Sequence, residues 1–159
     1  MNEITLKPIG IVHSPLTRHS EAPIQPKYSE YNGEIEIFPE FADGLKDIDG
    51  FSHIMVIFVF HKSRDYELLT YPYMDNEKRG VFATRSPYRP NPIGISVVRL
   101  SAVEGNTLKI EGLDMLDGSP VLDIKPYVPE FEKAAEIRIG WLKNRPETAD
   151  GTKSERDRS

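Results

Sequence analysis

The chain of 159 residues has no cysteine, which excludes disulfides, thiolate metal sites and cysteine nucleophiles. Its longest apolar run covers residues 54–60, far short of the ~20 residues that a membrane-spanning helix needs. The opening residues, Met1-Asn2-Glu3-Ile4, carry neither a basic stretch nor an apolar core, so no secretion signal is expected. Positive charge is not in excess: 20 Lys and Arg stand against 25 Asp and Glu, a formal net charge of −5. That balance argues against a general nucleic-acid coat, which relies on many phosphate contacts, but is compatible with a local basic patch. No Gly-rich phosphate loop, dinucleotide fingerprint or serine nucleophile elbow is present. His13, His53 and His61 are widely spaced and none forms an i, i+4 pair, so no metal site is expected. These absences lead to the expectation of a cytoplasmic protein with no membrane partner, no metal and no DNA partner.

What is present is a series of short β-type segments. Residues 4–12 and 33–38 are apolar-rich, and the second alternates Ile35 and Ile37 with Glu34 and Glu36, as a half-buried strand does. Residues 52–60 are β-branched and aromatic, the pattern of a strand buried on both faces. Residues 94–103 and 107–113 flank Glu104-Gly105-Asn106, a hairpin signal, and residues 121–128 form a further strand after the Asp117-Gly118 turn. Residues 81–84 read as a short strand and residues 39–48 as a short helix with Phe41, Leu45 and Ile48 on one face. Residues 16–29 and 62–80 read as long loops, and residues 129–144 as a terminal helix. The expected architecture is mainly β: a small antiparallel or mixed barrel with long loops and a short C-terminal helix. Residues 1–145 form one domain in this reading, and residues 146–159, charged and without aromatics, a disordered tail.

Four segments carry candidate chemistry. The first is the proline-stiffened run Ala83-Thr84-Arg85-Ser86-Pro87-Tyr88-Arg89-Pro90-Asn91-Pro92-Ile93-Gly94. Its two arginines and Asn91 offer many donors from a backbone that loses little entropy on binding, and arginine can grip a carboxylate or phosphate with two bonds. A rigid turn with solvated arginines is an equally good account of the spacing alone. The second runs from Leu113 through Asp114, Met115, Leu116 and Asp117 to Lys125 and Tyr127, with three acids near one tight turn. Carboxylates there can take a proton or bind amines and ribose hydroxyls, whereas the plainer reading is a hairpin turn. The third is His61-Lys62, at a strand end where loops begin, and the fourth is Gln25-Pro26 in the first long loop.

Taken together, these segments resemble the TsaA-like family of tRNA methyltransferases. The matching pieces are IGIVHSP from Ile9, Gln25-Pro26, Gly50-Phe51-Ser52-His53, Phe58-Val59-Phe60-His61, GVFATRSPYRPNPIG from Gly80, and LDMLDGSPVLDIKPY from Leu113. They occur in the family's order over roughly residues 4–128, and the two long runs are the specific ones. The resemblance implies a small β-barrel that binds S-adenosylmethionine, works as a homodimer and methylates N6 of N6-threonylcarbamoyladenosine beside the anticodon of a threonine tRNA. By the same resemblance the cofactor is bound by Gln25, Pro26, His61, Lys62, Arg85, Asp114, Met115, Leu116 and Asp117. Arg89, Pro90, Asn91 and Lys125 meet the substrate, and Asp117, Asp114 and Asn91 serve the chemistry. Lys62, Arg64, Lys78, Arg79, Arg85 and Arg89 offer a basic face for tRNA. Bacterial members carry a further C-terminal domain implicated in tRNA binding, where this chain offers a short helix and a tail. The residues alone leave open a methyltransferase for another tRNA base or a small molecule, a non-catalytic S-adenosylmethionine- or nucleotide-binding module, and a metal-dependent hydrolase.

Overall fold

The computed structural model describes residues 2–18, 31–73 and 75–144. Six strands close into an antiparallel barrel: β1 (Gly10–His13), β2 (Asn32–Ile37), β3 (His53–Val59), β6 (Ile93–Glu104), β7 (Thr107–Glu111) and β8 (Pro120–Pro126). The order around the wall is β1, β2, β7, β6, β3, β8. Two short strands, β4 (Leu69–Thr70) and β5 (Arg79–Gly80), form a separate two-stranded arm.

Alternation builds the core. Ile54, Val56 and Phe58 of β3 point inward opposite Val98, Ser96 and Gly94 of β6. Val12, Ile35, Ile37, Leu108, Ile110 and Val121 complete the lining, and Leu113 and Met115 plug it from the β7–β8 connection. The hairpin expected at Glu104-Gly105-Asn106 joins β6 to β7, with Gly105 at φ +61°.

Several expected elements take other forms. The strand expected over residues 4–12 is reduced to Gly10–His13. Residues 39–48 form no α-helix but the 3-10 segments Pro39–Leu45 and Ile48–Gly50, since Pro39 opens the first and Asp43-Gly44 is a weak helix former. Residues 81–84 are not a strand: Val81–Ala83 is a 3-10 turn in which the Thr84 hydroxyl bonds the Val81 carbonyl. The terminal helix is likewise replaced by 3-10 pieces at Pro129–Glu132 and Gly140–Asn144, with Gly140 at φ +57° interrupting any continuous helix. The second long loop contains the β4–β5 arm. The tail over residues 146–159 lies outside the described residues.

Gly94 is required by packing. A Cβ there would lie 2.4 Å from the Phe58 ring and 2.8 Å from the Phe60 ring. Those rings meet edge to face with centroids 5.0 Å apart. Gly94→Ala is expected to destabilise the fold by at least ~2 kcal/mol, read as a lowered urea midpoint at unchanged m-value, because an overfilled core must displace a ring.

Candidate functional site

Four connections meet at one end of the barrel. They are the segment after β1, the segment after β3, the proline-rich loop before β6, and the β7–β8 connection. Main-chain bonds stitch them together. The Asp117 amide donates to the Leu16 carbonyl at 2.7 Å, and the Gly118 amide to the Val12 carbonyl at 2.8 Å. The Ser14 amide donates to Asp117 Oδ1 at 3.0 Å. Lys62 Nζ donates to the Thr17 carbonyl, and the His61 ring lies against Gly118, whose added Cβ would meet Nε2 at 3.6 Å. Leu16 and Leu116 are buried against each other with Tyr31 beside them, a small apolar floor next to these polar groups.

The proline-rich loop is tied to the same end. Phe60 donates its amide to the Pro92 carbonyl at 2.8 Å, and the Ser63 hydroxyl donates to the Pro87 carbonyl at 2.9 Å. Arg89 Nη1 donates to the carbonyls of Thr84 and Ser86 at 3.0 and 3.1 Å, so this guanidinium braces the turn that carries Arg85. Arg85, Pro90 and Asn91 are exposed at its surface.

The two acids differ. Asp117 is exposed at the rim, while Asp114 turns its carboxyl into the barrel wall, where Ser96 Oγ donates to Oδ2 at 3.0 Å. Asp114 keeps some exposure as a residue, yet its Oδ1 is closed to solvent and has no hydrogen-bond partner among the described residues. Loss of hydration pushes its pKa up to about 7, against a smaller opposing pull from the Ser96 bond. His61 moves the other way. Desolvation is the main cause of its lowered pKa, the Lys62 ammonium adds to it, and the Asp117 carboxylate opposes it. Burial thus favours the neutral ring, which can both donate and accept.

The barrel thus brings together His61, Lys62, Leu116 and Asp117, with Met115 buried beneath, and the loop that carries Arg85 is tied to the same end. Lys125 is not brought there. It pairs with Met55 near the other end of β3, roughly 13 Å along β8 from Val121, and its ammonium faces Asp123 at 3.4 Å. The expected basic face is also thinner than its residue list. Arg79 is held by Asp75 and Glu77, Arg89 by carbonyls, and Lys62 by Thr17. Gln25 and Pro26 lie outside the described residues. Sequence reading missed Ser14 and Leu16. The one available signal was a lone leucine directly after His13-Ser14-Pro15, in an otherwise polar loop.

Among the described residues no group of three His, Asp or Glu side chains could hold a metal ion. His13 bonds Glu36, and His53 stands at the opposite end of β3 from His61. Nor is any described helix long and apolar enough to cross a membrane.

A small closed antiparallel barrel with a polar, loop-built site at one end is the class that fold and site define. Residues 11–133 match the family model of the tRNA-methyltransferase O N-terminal domain, and the chain belongs to that family. It is 56% identical over 140 residues to a probable S-adenosyl-L-methionine-binding protein of Pyrococcus abyssi, covering 87% of this chain and 76% of that one. It is 35% identical over 157 residues to the tRNA (adenine(37)-N6)-methyltransferase of Escherichia coli, covering 92% and 67%. The crystal structure of TrmO from Pseudomonas aeruginosa superposes with a TM-score of 0.76 at 37% identity, over 92% of this chain and 66% of that chain. The chain thus spans just under two thirds of that solved structure's length.

Proposed function

We propose that this protein is an S-adenosylmethionine-dependent tRNA adenine-N6 methyltransferase whose acceptor is N6-threonylcarbamoyladenosine beside the anticodon of a threonine tRNA. The observation that supports the reading is the juxtaposition at one barrel end. The Asp117 carboxylate, the Lys62 ammonium and the His61 imidazole stand beside a small apolar floor, in a chain whose relatives are named for S-adenosylmethionine binding and for tRNA adenine-N6 methylation.

The donor set suits the cofactor's chemistry, a zwitterionic amino acid joined to an adenosine. Arg85 pairs its carboxylate, Lys62 and His61 supply polar contacts, and Leu16 and Leu116 border the apolar slot that an adenine needs, with Met115 in the core beneath it. Gln25 and Pro26 belong to the same reading by family resemblance. When bound, the cofactor supplies an electrophilic methyl group. The chain's own contribution is largely positioning, because the loops are pinned before anything binds.

The acceptor sets one further demand. In a threonylcarbamoyl adenosine, N6 is part of a urea and its lone pair is delocalised, so removal of the N6 proton restores its nucleophilicity. Asp117 is exposed at the rim with Oδ1 oriented by the Ser14 amide, and it takes that proton in this mechanism. Asp114, enclosed against Ser96, acts through the shape of the turn it shares with Asp117. Asn91 and Pro90 shape the mouth towards the base.

A homodimer is part of the proposal. On the outer wall, Val59 pairs with Ile93, Ile57 with Ile95 and Met55 with Val97, so β3 and β6 present an apolar stripe outward as well as inward. Ile95 is 54% and Ile93 37% exposed, and the stripe ends beside Asn91-Pro92 at the site. A second copy is the occupant that covers it. Ile95→Glu is expected to convert the dimer to a monomer in sedimentation at micromolar concentration. A variant that stays dimeric rules out this face.

Titration calorimetry tests the cofactor site. Wild type is expected to bind S-adenosylmethionine, with Arg85→Ala weakening it at least ~10-fold as a charge-assisted contact is lost. Absence of binding by wild type would refute the reading.

A further inference from the structure

The chain's single tryptophan sits outside the barrel, in the C-terminal 3-10 segment Gly140–Asn144, and no catalytic role accounts for it. Its indole Nε1 donates to the carbonyl of Ala83 at 2.9 Å, across 58 residues of sequence. The Arg79 guanidinium lies over its ring, 5.7 Å from the centroid. Arg79 is itself fixed by Asp75 at 2.8 Å and Glu77 at 3.2 Å. The tryptophan therefore bonds the turn directly and stacks on an arginine that the β4–β5 arm already holds.

Ala83 lies two positions before Arg85. The carbonyl after it, that of Thr84, is held by Arg89, as is the carbonyl of Ser86. Val81 is anchored to Leu68 through its amide at 2.9 Å. The backbone around Arg85 is thus gripped by Arg89 from the proline-rich side and by Trp141 from the C-terminal side. An exposed arginine that must meet a carboxylate in one orientation gains affinity when its backbone is fixed beforehand.

We infer that residues 139–144 are a strap and that Trp141 is a positioning residue which holds the Ala83-Thr84-Arg85 turn in the geometry that binds the cofactor's carboxylate. The inference rests on the assignment of Arg85 to the cofactor made above. It gives the C-terminal segment of this chain a role in cofactor affinity, exerted without contact with the ligand.

Trp141→Phe is the decisive variant, because phenylalanine keeps a ring under Arg79 and removes only the N–H that reaches Ala83. It is expected to weaken S-adenosylmethionine binding about five- to tenfold in calorimetry, the effect of losing one hydrogen bond that orders a binding loop. In the Arg85→Ala background the same change is expected to cost less than about twofold, since the group being positioned is gone. In the ligand-free protein, amide hydrogen exchange over residues 83–86 should speed up while the thermal midpoint holds. Unchanged affinity in Trp141→Phe, or an equal loss in the Arg85→Ala background, overturns the inference. If wild type binds no S-adenosylmethionine, the cofactor assignment falls. Exchange at residues 83–86 then decides the strap alone: faster exchange retains it, and unchanged exchange removes it.

Discussion

Asp114→Asn is expected to stabilise the protein above neutral pH by several kcal/mol. The reason is the buried carboxyl, whose Oδ1 is closed to solvent with no partner among the described residues and whose pKa is pushed up to about 7. A carboxyl raised in the folded state takes up a proton on folding. At pH values below the unfolded carboxylate range both states are protonated and nothing is lost. As pH rises towards 7 the unfolded chain ionises first, and stability falls. Above pH 7 the folded chain carries a buried charge, and the full penalty of about 4 kcal/mol is reached. Asparagine has the same shape and can still accept the Ser96 bond, but it never ionises. The gain should therefore be near zero at about pH 4 and reach its maximum at about pH 8, read from urea unfolding at each pH. A gain of equal size at both values would show that the carboxylate's charge is not the source. A polar group kept at a stability cost is the pattern expected of a residue retained for function.

The second large effect is on turnover. Asp117→Asn should lower the rate of methyl transfer by about 10²- to 10⁴-fold, the usual contribution of a positioned acid or base. Asparagine keeps an oxygen for the Ser14 amide, so the turn and the cofactor affinity should survive. A spectroscopic marker accompanies the loss. The Asp117 carboxylate works against the downward shift of His61, so removing its charge should lower the His61 pKa further, visible in an NMR titration of the ring. A variant with the shifted histidine and full turnover would show that Asp117 tunes the site electrostatically but accepts no proton.

The barrel was legible in the sequence because its strands alternate. Ile35 and Ile37 against Glu34 and Glu36 mark β2, and the unbroken apolar run over residues 54–60 marks β3, apolar on both faces. That second feature is why β3 and β6 leave a stripe outside the wall as well as inside. The helices were not legible, because short 3-10 segments have no extended periodicity to read. Phe41, Leu45 and Ile48 do pack on the core, but from two separate 3-10 segments. Residues 81–84 look like a strand by composition, yet the Thr84 hydroxyl competes for the Val81 carbonyl and closes a turn.

The site was half legible. His61, Lys62 and Asp117 stand at strand ends and turns, where topology gathers loops; the second long family motif contains Asp117, and the short piece Phe58-Val59-Phe60-His61 ends at His61. Lys125 was drawn in by motif membership alone, and strand geometry carries it away down β8. The contacts of Ser14, Leu16 and Trp141 were invisible in the sequence because their partners are backbone carbonyls, amides and side chains remote along the chain. Ser14 reaches across 103 positions and Trp141 across 58. Nor does a list of basic residues reveal which of them the fold has already engaged, as Arg79 and Arg89 are.

The central claim is methyl transfer to a threonylcarbamoylated adenosine in tRNA. It is tested most directly by incubating the protein with S-adenosylmethionine and threonine tRNA prepared with and without the threonylcarbamoyl group, then digesting to nucleosides for mass analysis. The expected result is a threonylcarbamoyladenosine heavier by one methyl group, formed only from the modified tRNA and lost with Asp117→Asn. Methylation of the unmodified tRNA, or of no nucleoside despite cofactor binding, would contradict it.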